Sequence, residues 1–382
     1  MLPDLNQDEL FRYSRHLLIP GVGLSGQRKL KSASVLVVGT GGLGSPIALY
    51  LAAAGVGRIG LVDYDVVDTS NLQRQVIHHR AAVGKAKVES ARERLQGLNE
   101  FIRVDTYDTV FSAQNAAEIA EPYDILVDGT DNFPTRYLLN DLAVFSGRPY
   151  VYGSVFRFEG QVSVFDARSG PCYRCLFAEP PPPGVAPSCG EGGVLGVLPG
   201  IVGSLQAAEV LKLILGVGEP LIGQLLLCDV QDMSFQKVAL RKNPACLVCG
   251  EHPSVTELMD YEAFCGVAVQ GGVGLAEEFE WSPAELAERL QGENPPQLID
   301  VRAEVELQIS SLPGAIWMPL EQLRQRCAEL DAARPVVAFC RTGTRSARAV
   351  QLLKQAGFER VYHLRGGINA WAEQIDPRLR RY

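Results

Sequence analysis

Residues 34–54 read SVLVVGTGGLGSPIALYLAAA and decide the fold of the first part of the chain. The run SVLVV at 34–38 predicts a buried strand, and SPIALYLAAA at 45–54 predicts a buried helix. The turn between them matches G-x-G-x-x-G, in which glycines let the backbone approach phosphate groups. It therefore predicts a nucleotide site, with glycines needed only for tight packing as the alternative. The glycines concerned are Gly39, Gly41, Gly42 and Gly44.

Apolar runs further along the chain alternate with helix-like segments. The runs lie at 59–62, 102–104, 125–127 and 150–155, and the segments 83–98 and 134–145 predict helices. This alternation predicts an α/β fold with a Rossmann-like, mainly parallel sheet and helices on both faces. We also expect a half-exposed strand at 161–165, a Pro/Gly-rich loop at 180–193 and a helix that starts near Pro199.

The length of 382 residues predicts more than one domain. Periodicity weakens near residue 255, and apolar runs at 297–300 and 336–340 predict a second, smaller α/β domain. The expected division is a first domain over residues 1–255, a linker over 256–279 and a second domain over 280–382.

Composition restricts the class of protein. Hydrophobic residues make up 47% of the chain and charged residues 21%, which is typical of a soluble globular protein. The net charge of −8 gives no general basic field, so no direct nucleic-acid partner is expected. The first residues lack the apolar region of a signal peptide, and no uninterrupted apolar run reaches membrane-spanning length. We therefore expect a cytoplasmic protein without a membrane partner.

Polar residues gather around the predicted nucleotide. Asp63 stands 24 residues past Gly39, at the end of the second strand, where a carboxylate can accept from a ribose hydroxyl. Further carboxylates, amides and cations crowd residues 63–75, 84–87 and 128–132. Hydride transfer has no need of these groups, whereas phosphoryl or adenylyl transfer uses cations on the polyphosphate and a carboxylate on Mg²⁺. A solvated charged surface is the alternative.

These motifs resemble the ubiquitin-activating family, in particular its prokaryotic-type members that adenylate molybdopterin-synthase and thiamine sulfur carriers. The resemblance covers residues 5–255 and depends on GTGGLGS, VDYDVVDTSNLQRQ, GKAK, DGTDN and the paired C-x-x-C elements. It implies ATP as a substrate, with Asp63 on the ribose and Asp131 holding Mg²⁺. The residues it implies at the triphosphate are Asn71, Arg74 and Lys87, and the same motifs place Gln75 and Asn132 at the nucleotide.

The resemblance also gives a role to Arg15, in RYSRH. This side chain would reach the nucleotide of a partner protomer, which implies a homodimer. An ordinary surface arginine is the alternative.

Two cysteine pairs, Cys172-Tyr-Arg-Cys175 and Cys246-Leu-Val-Cys249, each offer two thiolates. Four thiolates complete a tetrahedral shell with no open position, which predicts a structural zinc ion (Zn²⁺). Redox C-x-x-C pairs are the alternative, although neither pair stands at the start of a helix after a strand.

Cys189 lies in the loop PPPPGVAPSCGEGG, where an exposed thiol is expected. In the resembling family a cysteine at this place can form a bond to the carrier. An incidental cysteine is the alternative.

A second thiol loop, Cys340-Arg-Thr-Gly-Thr-Arg345, follows the apolar run VVAF and precedes a predicted helix. Loop N–H groups, the positive helix end, Arg341 and Arg345 are expected to stabilise an anionic sulfur. A buried strand-end cysteine is the alternative.

This loop, with IDVR at 299–302, LPGA at 312–315 and LRGGINAW at 364–371, resembles the rhodanese family over residues 280–382. The resemblance implies that Cys340 carries a persulfide. Tyrosine-type phosphatases are the alternative, but they use C-x5-R, and here the arginine follows four residues. One departure is ELQISSLPGA, where relatives commonly carry Gly-His before the Pro-Gly-Ala.

Together the two resemblances imply an adenylyltransferase and sulfurtransferase, and the steps that follow are what they imply. ATP would adenylate the terminal glycine of a small ubiquitin-like sulfur-carrier protein ending in Gly-Gly, and the Cys340 persulfide would attack the adenylate. Cys189 would resolve the acyl disulfide, and a cysteine desulfurase or thiosulfate would supply the sulfur. A non-catalytic scaffold for a ubiquitin-like partner and a nicotinamide-dependent oxidoreductase are the alternatives. Molybdopterin, thiamine, cysteine and thiolated tRNA remain open as final acceptors.

Overall fold

The chain folds as two units that divide between Cys265 and Gly266. A computed structural model describes residues 2–181, 192–266 and 277–382. Each unit has its own sheet and its own apolar core. Tyr261 and Cys265, which fall within the predicted linker over 256–279, are buried in the first core. The chain therefore leaves this core later than the loss of sequence periodicity indicates.

The first sheet has eight strands in the order β3-β2-β1-β4-β5-β6-β7-β8. Pairs from β3 to β5 are parallel, and pairs from β5 to β8 are antiparallel. This confirms the predicted Rossmann-like, mainly parallel sheet. Of the strands β6, β7 and β8, which pair antiparallel, the sequence analysis predicted only β6. The strands are β1 (Ser34–Val38), β2 (Arg58–Asp63), β3 (Arg103–Asp108), β4 (Ile125–Asp128), β5 (Tyr150–Phe156), β6 (Glu159–Phe165), β7 (Gln224–Asp229) and β8 (Ser234–Ala239).

Helices cover both faces of this sheet, as predicted. Val35 and Val37 of β1 face one apolar cluster, whereas Leu36 and Val38 face the other, because successive side chains of a strand alternate. The described helices are α1 (Gln7–Arg12), α2 (Ser14–Leu17), α3 (Gly23–Ser32), α4 (Gly44–Ala54), α5 (Lys87–Leu98), α6 (Ala116–Ala120), α7 (Phe133–Ser146), α8 (Tyr173–Leu176), α9 (Val197–Leu215) and α10 (Tyr261–Phe264). Helices α4, α5 and α9 pack on the first cluster and α6 and α7 on the second.

Helix α9 is long and apolar enough to cross a membrane by length and composition alone. Within the first unit it packs against α4, β5 and β6. Part of its apolar surface is therefore buried in the core of the first unit, whereas Val197 at its start is exposed.

The second unit has a five-stranded sheet in the order β11-β10-β12-β13-β9, with every pair parallel. This confirms the second, smaller α/β domain. Its strands are β9 (Glu280–Trp281), β10 (Gln297–Asp300), β11 (Ile316–Trp317), β12 (Val336–Phe339) and β13 (Val361–Leu364). Its helices are α11 (Pro283–Leu290), α12 (Glu304–Leu307), α13 (Leu323–Arg326), α14 (Thr344–Gln355) and α15 (Gly367–Gln374). Strand β12 lies at the centre, so the residue that follows it stands at the middle of the sheet edge.

Candidate active sites

The carboxyl ends of β1, β2 and β4 meet at one edge of the first sheet. The strand order reverses between β1 and β4, and ligands of such sheets bind where the order reverses. Gly39 leaves β1 with a φ of 90°, and a side chain there would lie 2.7 Å from the Gly129 carbonyl oxygen. A side chain on Gly44 would overlap the carbonyl oxygen of Gly39. The turn therefore needs glycine at both positions for its own packing.

Gly41 differs from these two glycines. The nearest atom to an added carbon is Nε2 of Gln75 at 3.5 Å, an ordinary contact distance, whereas at Gly42 Pro199 lies closer, at 3.2 Å. Among the described residues, a carbon added at Gly41 would thus make only this one ordinary contact. This is the position in such a turn where the backbone approaches a pyrophosphate. Packing explains Gly39 and Gly44, whereas a ligand accounts better for Gly41.

Asp63 ends β2 and supports the glycine turn. Its Oδ2 accepts from the N–H and the hydroxyl of Thr40, at 2.8 and 2.9 Å, and its Oδ1 accepts from the Asp65 N–H at 3.0 Å. A carboxylate offers about four acceptor positions. One position on Oδ1 is therefore available to a ligand hydroxyl, and the side chain is only half-buried.

The segment between β2 and α5 brings two buried polar groups to this edge. Lys87 begins α5, and its ammonium group donates to Oδ2 of Asp65 at 2.7 Å. Gln75 is also buried, and its Oε1 has no hydrogen-bond partner among the described residues. Buried polar atoms without partners are rare in folded proteins. A ligand that entered beside the glycine turn could satisfy Gln75.

Three other predicted residues have few contacts with the rest of the chain. Asn71 donates to the Ser70 hydroxyl at 3.1 Å, and Arg74 lies 3.5 Å from the Ser70 carbonyl oxygen. Arg15 is exposed on α2. Their cationic and amide groups are thus accessible to ligands.

Cys189 lies outside the described residues.

The end of β4 supplies the predicted metal carboxylate. Asp131 is exposed, and no described residue donates a hydrogen bond to it. Asn132 caps α7, because its Oδ1 accepts from the Thr135 N–H at 2.9 Å, which leaves its Nδ2 and one acceptor position on Oδ1 available to a nucleotide. A bare carboxylate at a sheet edge fits the oxygen ligands that Mg²⁺ prefers.

The four paired cysteines converge on one point. Their sulfur atoms all lie within 4.8 Å of one another, with separations of 3.4 Å for Cys175–Cys249 and 3.6 Å for Cys172–Cys246. Zinc–sulfur bonds of about 2.3 Å place tetrahedral thiolates about 3.8 Å apart. Hydrogen bonds from neighbouring thiols lower the pKa of Cys175 to about 6, while such bonds raise the pKa of Cys172. The cluster has the size and chemistry of a closed zinc site.

Cys340 directly follows β12 and is buried in the short loop that leads to α14. Its sulfur accepts a hydrogen bond from the Gly343 N–H at 3.1 Å, and the Ser346 hydroxyl lies 3.6 Å away. Gly343 has a φ of 108°, which turns its N–H toward the sulfur. The Ile368 N–H, from α15, donates to the Cys340 carbonyl oxygen at 2.8 Å and fixes the start of the loop. Among the described residues, the loop therefore gives the Cys340 sulfur one backbone donor, from Gly343, and one nearby hydroxyl, from Ser346.

Arg345 has a partner that the sequence analysis missed. Its Nη1 and Nη2 donate to the two carboxylate oxygens of Glu306, at 2.6 and 2.7 Å. Burial alone would raise the pKa of Glu306, but the hydrogen bonds from Arg345 and the Ala303 N–H hold it at about 2. The positive charge that Arg345 was expected to bring to the Cys340 sulfur is therefore paired with the carboxylate of Glu306. Glu306 is the first residue of ELQISSLPGA, where the rhodanese resemblance is weakest.

Comparison with known proteins identifies both units. The ThiF family model matches residues 13–248, and the model of the rhodanese-like domain matches residues 282–374. The chain belongs to the ThiF family. The first match contains the glycine turn with its surrounding polar groups, and the second contains Cys340.

Two relatives match almost the whole chain, and a third matches about two thirds of it. The probable adenylyltransferase/sulfurtransferase MoeZ of Mycobacterium tuberculosis is 49% identical over 384 residues, covering 99% of this chain and 96% of that protein. The adenylyltransferase and sulfurtransferase MOCS3 of Sus scrofa is 43% identical, covering 99% and 89%. The sulfur carrier protein adenylyltransferase of Thermus thermophilus is 55% identical, covering 68% and 98%. This ThiF-family chain is thus an enzyme that joins an adenylyltransferase domain to a rhodanese domain.

Solved structures resemble the ThiF part of the chain. E. coli MccB with MccA-N7isoASN has a TM-score of 0.57 and 25% identity, covering 63% of this chain and 75% of that chain. E. coli MccB with ATP has a TM-score of 0.54 and 25% identity, covering 64% and 75%.

Sequence analysis missed His78, which supports the ThiF glycine turn. This buried imidazole lies 3.2 Å from the Thr40 carbonyl oxygen through Nε2 and 3.0 Å from the Ser90 hydroxyl through Nδ1. A neutral ring that donates from Nε2 and accepts at Nδ1 satisfies both contacts. Burial lowers the pKa of His78 and favours this neutral form. No local sequence pattern distinguishes His78 from its neighbour His79, because both partners come from other elements.

Proposed function

We propose that this enzyme activates the terminal carboxylate of a ubiquitin-like sulfur-carrier protein with ATP and then supplies it with sulfur from Cys340. One observation carries the proposal. The second unit holds a buried thiol, Cys340, whose sulfur accepts a hydrogen bond from a loop N–H just before a helix. The first unit of the same chain holds a glycine turn that lies among cationic and carboxylate side chains. Relatives named adenylyltransferase/sulfurtransferase and sulfur carrier protein adenylyltransferase support it.

In the adenylation step, Gly41 and the turn receive the phosphates, and Asp63 accepts from a ribose hydroxyl. A carboxylate oxygen of the carrier's last glycine attacks the α-phosphorus, the bond to the β-phosphate oxygen breaks, and pyrophosphate leaves. Bound Mg²⁺, held by Asp131, would neutralise phosphate charge. The remaining nucleotide contacts are assigned to Asn71, Arg74, Gln75, Lys87 and Asn132, with Arg15 reaching the nucleotide of the partner protomer in a homodimer.

In the loading step, the Cys340 thiolate attacks the terminal sulfur of a donor persulfide. A new sulfur–sulfur bond forms, the donor's sulfur–sulfur bond breaks, and the donor thiolate leaves with the electron pair. A cysteine desulfurase carrying such a persulfide is one donor. Thiosulfate is the other, and its leaving group is sulfite.

In the transfer step, the terminal sulfur of the Cys340 persulfide attacks the carbonyl carbon of the acyl adenylate, and AMP leaves. The carrier is then joined to Cys340 through an acyl disulfide. Attack by the Cys189 thiolate on the Cys340 sulfur releases the carrier thiocarboxylate and leaves a disulfide between the two cysteines. A cellular thiol reductant returns both cysteines to thiols.

The four clustered cysteines would hold a structural Zn²⁺ that connects two distant segments of the first unit. We assign residues 1–255 to adenylation and 280–382 to sulfur transfer. All described cysteines are free, which agrees with a reducing compartment. We therefore propose that the enzyme works in the cytoplasm.

Exchange of radioactive pyrophosphate into ATP, in the presence of the carrier, tests the division of labour. Asp131→Ala should abolish exchange because the metal carboxylate serves adenylation, whereas Cys340→Ala should exchange at close to the wild-type rate. Loss of exchange in folded Cys340→Ala would refute the assignment of the thiol to a later step. A wild-type enzyme that catalyses no exchange with any Gly-Gly-ended carrier would instead favour the scaffold alternative.

A further inference from the structure

Tyr382 lies beside the loop that carries Cys340. The side chain is half-buried, and the centre of its ring is 5.9 Å from the guanidinium carbon of Arg341, the residue after the thiol. An aromatic ring at this distance attracts a cation. The model of the rhodanese-like domain ends at residue 374, so Tyr382 stands outside the segment that the family comparison matches.

The hydroxyl of Tyr382 connects two charged side chains. It accepts from Nη1 of Arg302 at 2.7 Å and donates to Oε1 of Glu306 at 2.8 Å. Glu306 in turn holds Arg345 through both carboxylate oxygens. Tyr382 therefore acts on both arginines of the loop, on Arg341 through its ring and on Arg345 through Glu306.

Asn369 on α15 ties the backbone of Tyr382 to the same loop. Its Nδ2 donates to the Tyr382 carbonyl oxygen at 3.0 Å, and its Oδ1 accepts from the Tyr382 N–H at 3.4 Å. The Asn369 N–H donates to the Arg341 carbonyl oxygen at 3.2 Å. One residue thus fixes both the loop and the tyrosine that lies against it.

We propose that Tyr382 is a positioning residue for sulfur transfer, which orients Arg341 and Arg345 around the sulfur of Cys340. The inference rests on the proposed sulfurtransferase function. During loading, negative charge moves from the Cys340 sulfur to the leaving donor thiolate or sulfite. Cations that are already oriented stabilise such a redistribution without reorganising. Without Tyr382, Arg341 loses its contact with the aromatic ring, and Glu306, which holds Arg345, loses one hydrogen-bond donor.

Loading of the full-length chain from thiosulfate, followed by mass spectrometry of the peptide containing Cys340, provides the test. Tyr382→Ala should lower the loading rate by about tenfold, the effect of losing a hydrogen bond to a charged group. Tyr382→Phe keeps the ring over Arg341 and should retain a rate between those of wild type and Tyr382→Ala. Tyr362→Ala is the matched control, because Tyr362 is also half-buried in the second unit but stacks on Trp281, 4.3 Å away.

A double-mutant cycle with Arg341→Ala separates positioning from a general loss of stability. Because Tyr382 acts through Arg341 and, by way of Glu306, through Arg345, the double variant should load faster than the product of the two single losses predicts. Three results would overturn the inference: losses in loading rate that simply multiply in the double variant, a wild-type loading rate in Tyr382→Ala, or a loss of loading rate in Tyr362→Ala as large as that in Tyr382→Ala. Failure of the wild-type chain to load Cys340 would instead refute the sulfurtransferase function itself.

Discussion

The substitution Gly41→Ala adds one methyl group to the glycine turn, and its effects on folding and on nucleotide binding should differ. The added carbon meets only Nε2 of Gln75 at 3.5 Å, and the φ of Gly41 is not in the left-handed region. Where the backbone is compatible, Gly→Ala stabilises a protein by about 0.4–1 kcal/mol because it restricts the unfolded chain. We therefore expect the free energy of unfolding to stay constant or rise slightly.

Binding of ATP should weaken in the same variant, because the methyl group occupies the space assigned to a phosphate. We expect a loss of at least about tenfold in affinity, which is about 1.4 kcal/mol. Calorimetric titration with ATP and denaturant unfolding of the same samples provide the two numbers. Gly97→Ala is the control, because Gly97 is exposed on α5 with no atom within 4 Å of the added carbon. Wild-type affinity in folded Gly41→Ala would refute the assignment of phosphates to this turn.

Three further tests address other parts of the structure. Metal analysis of purified wild type should find one zinc per chain, and Cys246→Ser should lose this zinc. Cys228→Ala should retain it, because Cys228 is buried outside the cluster. Metal-free wild type from a reduced preparation would contradict the assignment of the cluster to zinc. Gly44→Ala should destabilise the first unit by about 1–3 kcal/mol in denaturant unfolding, because the new carbon overlaps the Gly39 carbonyl oxygen. An unchanged midpoint of unfolding would contradict that packing. Because burial lowers the pKa of His78, the unfolded chain binds more protons below about pH 6.5, so the free energy of unfolding should fall as the pH drops from 7 to 5. His78→Gln should reduce this fall, and an identical pH profile would show that His78 makes no such contribution.

Local sequence patterns predicted the parts of the structure that depend on neighbouring residues. The run SVLVV, the glycine turn and the following helix occupy β1 and α4 as expected, because strand, turn and helix signals lie within one short segment. The C-x-x-C spacing likewise predicted which cysteines could share an ion, and the structure brings all four sulfur atoms together.

Contacts between distant segments could not be predicted in this way. Arg345 and Glu306 are 39 residues apart, and their pairing depends on where α12 and α14 meet the sheet edge. The same holds for Tyr382, whose hydroxyl binds residues 80 and 76 positions earlier. Asn132 was predicted at the nucleotide from its motif, yet its carbonyl oxygen caps α7, a use that depends on where the helix begins. Topology, and not residue type, decides each of these contacts.

Conversion of a carrier's terminal carboxylate to a thiocarboxylate tests the central claim most directly. The full-length enzyme, a Gly-Gly-ended ubiquitin-like carrier, ATP, Mg²⁺, thiosulfate and a thiol reductant are incubated together, and the intact carrier is weighed by mass spectrometry. We predict that the carrier gains the mass difference between sulfur and oxygen, only when ATP is present, and that Cys340→Ala forms the acyl adenylate without this gain. Two results would contradict the proposed function. One is that Cys340→Ala forms as much thiocarboxylate as wild type. The other is that the carrier stays unchanged although the enzyme catalyses pyrophosphate exchange and carries sulfur at Cys340.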